Sequence, residues 1–87
     1  MKKYYLVQVE WIDSCGEDYG WDDIESIEEV EPARITTVGF RIKETKEKII
    51  LALSVDFDND QASSYIVIPT AVIKGKKTLC TYTPKVS

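Results

Sequence analysis

Apolar and polar side chains alternate along the first stretch of the chain. Tyr5, Val7, Val9 and Trp11 fall on one side, and Gln8 and Glu10 on the other. A period of two belongs to a strand with one buried face and predicts a first strand over Tyr4 to Ile12. The segment from Asp13 to Gly20 is rich in turn formers and reads as an exposed loop. Asp22-Asp23-Ile24-Glu25 then has the form of a helix start, with Asp22 as the cap and Glu25 placed to reach back. Ile24, Ile27 and Val30 recur at helical spacing as a narrow apolar stripe, and Pro32 stops the helix.

The alternation returns in the middle of the chain. Val38, Phe40 and Ile42 alternate with Gly39, Arg41 and Lys43, which predicts a second strand over Ile35 to Glu44. Thr45-Lys46-Glu47 is a connection of hairpin length, and a third strand follows with Ile49, Leu51, Leu53 and Val55 inward. Gly39 inside a strand marks a sharp bend or a close backbone approach, as at a barrel corner. After a polar loop from Phe57 to Gln61, a fourth strand runs from Ser64 to Ile68 and ends at Pro69. Thr70-Ala71-Val72 reads as a single helical turn, and Thr78 to Thr83 as a fifth strand.

These elements predict one mainly β domain over residues 1–84 with a tail at 85–87. The expected architecture is a small five-stranded SH3-like or Sm-like barrel with one short helix in the first long loop. Closure would remove the exposed edges of a five-stranded sheet. The alternative is an open antiparallel sheet with the helix packed on one face. The predicted core is Val7, Val9, Val38, Phe40, Ile42, Leu51, Leu53, Ile66 and Ile68.

Composition narrows the function classes. A chain of 87 residues, 44% hydrophobic and 30% charged, is ordinary globular usage with room for one core. No apolar run approaches the ~20 residues of a membrane span. Met1-Lys2-Lys3 before an apolar stretch resembles a signal peptide. Gln8 and Glu10 interrupt that stretch and no small-residue cleavage site follows, so a cytoplasmic protein is expected. In that setting Cys15 and Cys80 are expected as reduced thiols.

With no histidine in the chain, Ser-His-Asp and Cys-His arrangements are excluded, and two cysteines cannot complete a four-ligand zinc site. Cys15 lies among carboxylates, which disfavour a thiolate. The four glycines, at 16, 20, 39 and 75, match no phosphate or dinucleotide loop. Asp56-Phe57-Asp58-Asn59-Asp60 resembles the opening of a calcium loop but has Gln61 and Val67 where that loop needs Gly and Glu. The expectation is a binding protein, not an enzyme, without metal or cofactor.

Charge and aromatics supply two candidate surfaces. Ten acids lie between Glu10 and Glu31 with no Lys or Arg among them, and residues 61–87 carry four lysines and no acid. The first candidate is a groove for a small anionic ligand such as a nucleotide, with Tyr19 and Trp21 stacking and Arg34, Arg41 and Lys43 contacting phosphate. The second is the acidic helix, with Asp22, Asp23, Glu25, Glu28 and Glu29 meeting a basic protein. Nucleic acid is a weaker alternative, because affinity for it comes mainly from Lys and Arg. Self-association is a further expectation for so small a domain.

Trp11-Ile12-Asp13-Ser14, Gly20-Trp21, Thr37-Val38-Gly39-Phe40-Arg41-Ile42-Lys43-Glu44-Thr45, Ile68-Pro69 and Ile73-Lys74 together resemble a family of short, mostly uncharacterised proteins encoded by bacteriophages and prophages. The resemblance spans roughly residues 5–75 and implies a phage accessory protein made inside an infected bacterial host. It transfers no activity. The function expected on this basis is counter-defence or host takeover, by sequestering a nucleotide immune signal or blocking a host protein. An RNA- or DNA-binding regulator and a structural phage component are the alternatives.

Overall fold

The computed structural model describes residues 3–14 and 21–84. Five strands form one antiparallel sheet: β1 (Tyr4–Asp13), β2 (Ala33–Glu44), β3 (Lys48–Asp56), β4 (Gln61–Pro69) and β5 (Ile73–Tyr82), in the order β4-β3-β2-β1-β5. A five-residue helix, α1 (Ile24–Glu28), lies in the β1–β2 connection, and a 3₁₀ turn (Thr70–Val72) leads into β5. The fifth strand therefore starts at Ile73, earlier than the expected Thr78, because residues 73–78 pair along β1 from Trp11 to Val7.

The turns are held by their own side chains. In the β2–β3 connection the Glu47 and Lys48 amides donate to Thr45 Oγ1, at 3.2 and 3.3 Å. In the β3–β4 connection the Asp58 and Asn59 amides donate to Asp56 Oδ1, at 3.1 and 3.3 Å. Asn59 Nδ2 adds a 2.8 Å bond to Asp56 Oδ2. Such Asx and Thr turns satisfy backbone donors that no ladder reaches.

The core is Val7, Val9, Ile49, Leu51 and Ile68, with Tyr5, Trp11, Ile66, Val72 and Ile73 packed around it. Val38, Phe40, Ile42 and Leu53 do not belong to it. Val7 pairs directly with Gly39, so Val38 and Phe40 share the opposite face with Gln8 and Leu6. Val38 and Ile42 are 42% and 46% exposed, and Leu53, past the last β2–β3 pair at Phe40 and Ala52, is 68% exposed. Gly39 explains the arrangement. A Cβ there would meet the Ala52 carbonyl oxygen at 2.9 Å and Leu51 Cβ at 3.2 Å, so the bare backbone of β2 lets β3 close onto the core. Shifting a strand by one residue exchanges its two faces, and the apolar run in β2 ends up on the second face.

Among the described residues β4 and β5 are the two edges, and no ladder joins them. The sheet is nevertheless strongly curled. Phe57, at the tip of the β3–β4 hairpin, lies 4.5 Å from the Tyr4 ring, 5.7 Å from Phe40 and 5.2 Å from Tyr82 on β5. Lys76 of β5 forms an ion pair with Glu44 at the end of β2. The curl is thus fastened by side chains.

α1 sits in the first long loop, as expected, but is not packed on a face of the sheet as in the alternative architecture. Asp23, not Asp22, is its N-cap residue, with no side-chain cap bond. Ile24, Ile27 and Val30 are 76%, 53% and 56% exposed and do not pack on the sheet. Five residues bury too little to hold a helix against a sheet, and an isolated helix this short is marginal. The radius of gyration is 17.1 Å, with extents of 60 × 24 × 19 Å, against about 12 Å expected for a compact chain of this length. The segment 21–32 stands off the sheet as an arm.

Candidate functional site

The described residues of the expected groove, Trp21, Arg34, Arg41 and Lys43, are not brought together. Trp21 is fully exposed on the arm, and Tyr19 lies outside the described residues. Arg34 is exposed opposite Ile12, near the arm's base. Arg41 is seven positions further along β2, about 23 Å away at strand rise, and on the other face. Lys43 follows a register shift and pairs with Ile50.

Arg41 has an environment the sequence does not reveal. It points toward the Val7 and Leu51 side and is half-buried, with its guanidinium 4.7 Å from the centre of the Tyr5 ring. Nη1 donates to Glu44 Oε1 at 3.4 Å. Glu44 also accepts from Lys76 Nζ. The Lys76 hydrogen bond, with smaller help from Arg41, holds the Glu44 carboxyl below the usual glutamate range. A cleft of about 320 Å³ opens beside this cluster, lined by Lys3, Tyr4, Tyr5, Arg41, Val55 and Gln61 among others. Tyr5 and Lys76 were missed as neighbours because the β1–β2 and β1–β5 registers are not encoded locally, and Glu44 because strict alternation sets positions 41 and 44 on opposite faces, which the register shift after Arg41 undoes.

The residues of the second expected surface lie together in the segment 21–32. Asp22, Asp23, Glu25, Glu28 and Glu29 are all exposed on the arm, and among the described residues no Lys or Arg pairs with them. Interleaved with them are the exposed Trp21, Ile24, Ile27 and Val30. Apolar side chains set among like charges give a surface that a basic partner with an apolar groove could cover.

Among the described residues no group of three or more His, Cys, Asp or Glu side chains is placed to hold a metal. The Asp56 carboxylate is taken up by its own turn, and the hydrogen bond from the Asn59 side chain is the main cause of its lowered pKa. Cys80 is an exposed free thiol on β5; Cys15 lies outside the described residues. Among the described residues no helix is long and apolar enough to cross a membrane. Comparison with family models, curated proteins and solved structures gives no match.

Proposed function

We propose that this is a non-enzymatic phage accessory protein of counter-defence or host takeover, which works by blocking a basic host protein through the arm at residues 21–31. The observation that carries the reading is the arm's exposed apolar stripe amid acids that pair with no Lys or Arg among the described residues. Its four apolar side chains expose on the order of several hundred Å², the scale at which an apolar patch marks an interaction site. Trp21 is the anchor, since aromatics dominate interface energetics, and the acids steer association. The curled sheet is the scaffold that carries the arm. We read it as an SH3-like or Sm-like barrel left open between β4 and β5, on the strength of its strand order and the 3₁₀ turn before β5.

Affinity capture from host extract, with identification of the retained proteins, tests this. A specific partner should be retained by wild type and by Arg41→Gln. It should be lost with Trp21→Ala and, at moderate salt, with paired charge reversal of Glu28 and Glu29. Retention by all four proteins alike would remove the arm from the account.

A further inference from the structure

The cleft beside Arg41 lies on the sheet and is independent of the arm. Its volume of about 320 Å³ is at the small end of the range for small-molecule sites. Arg41 is already fixed there, by the Tyr5 ring at 4.7 Å and by Glu44 at 3.4 Å. A guanidinium held in place loses little freedom on binding, and it gives one of its five N–H donors to Glu44. Nor does Glu44 neutralise it, because Glu44 is shared with Lys76 and the three groups together keep one positive charge. Lys3 adds a second cation at the rim and Asp60 a single acid. Tyr5 and Val55 supply walls of low polarity, against which a charge pair is screened less than in open water.

We propose that this cleft binds a small organic anion no larger than a mononucleotide, its carboxylate or phosphate taken by the Arg41 fork and its body lying against the tyrosine and valine walls. Nothing is turned over; the ligand is held.

Titration of the ¹⁵N-labelled full chain at low ionic strength, with AMP, benzoate and inorganic phosphate as separate probes, tests the site. AMP or benzoate should give saturable shifts at Tyr5, Arg41 and Val55 and bind more tightly than inorganic phosphate. Arg41→Gln should weaken that binding at least tenfold. Ala62→Leu, which crowds the cleft and keeps Arg41, should do the same, whereas Trp21→Ala should leave it unchanged. Each of four results would overturn the site: no saturable binding by AMP or benzoate, equal affinity for inorganic phosphate, insensitivity to both cleft variants, or shifts centred on Lys74 and Lys77.

Discussion

Glu44 sits between two cations contributed by different parts of the sheet, Arg41 three residues back on its own strand and Lys76 on β5. The Lys76 contact joins strands at positions remote in the ladder order, so it fastens the curl as well as lowering the Glu44 pKa. A carboxylate whose pKa is lower in the folded chain than in the unfolded chain stabilises the fold above the unfolded value, about 4.3. That contribution is lost as pH falls from there through the lowered folded pKa. The pair is partly exposed, so its worth is on the order of 1 kcal/mol or less. Glu44→Gln should therefore melt slightly below wild type at pH 7, with the two curves converging as pH falls below about 4.3 and through the lowered Glu44 pKa. Melting temperatures followed from pH 7 into acid check it, and a gap that does not narrow with falling pH would show that Glu44 acts through packing.

At the scale of elements, what matters is which face of β2 is buried. Leu51→Ala, in the core, should cost roughly 2–5 kcal/mol, and Val38→Ala, on the other face, should stay within about 0.5 kcal/mol. Denaturant unfolding of the two variants separates the faces, and a large loss with Val38→Ala would restore the opposite assignment. The strands themselves were legible in the sequence, as was the 3₁₀ turn at Thr70–Val72, because alternation and proline punctuation are local signals. The burial of β2 was not. Val38, Phe40 and Ile42 look like an inward row, while the residue that settles the question, Gly39, shows its meaning only beside Ala52 and Leu51. For the same reason the cleft was half legible. Arg41 stood out on its own strand, but its partner Tyr5 depends on a cross-strand pairing, and its contact with Glu44 on a register shift within β2 that alternation does not show.

On the scale of the whole molecule, a curled sheet carries an arm that its own core does not cover. The aromatic cluster of Tyr4, Phe40, Phe57 and Tyr82 spends the second face of the sheet on holding the β3–β4 tip. The stripe of α1 packs on neither face. Trp21 on the arm and Ile24 and Ile27 on α1 are exposed and so add no burial energy to the free protein; they would contribute it only under a partner that covers them. Incorporating 5-fluorotryptophan gives two ¹⁹F signals, from Trp11 in the sheet, whose Nε1 donates to Thr37 Oγ1, and from Trp21 on the arm. In the free protein Trp21 should show the full H₂O-to-D₂O solvent shift and Trp11 only part of it. On adding the purified host protein retained in the capture experiment, Trp21 should move and lose its solvent shift while Trp11 stays in place. A Trp21 signal already shielded from solvent in the free protein, or one unmoved by that host protein, would contradict the account.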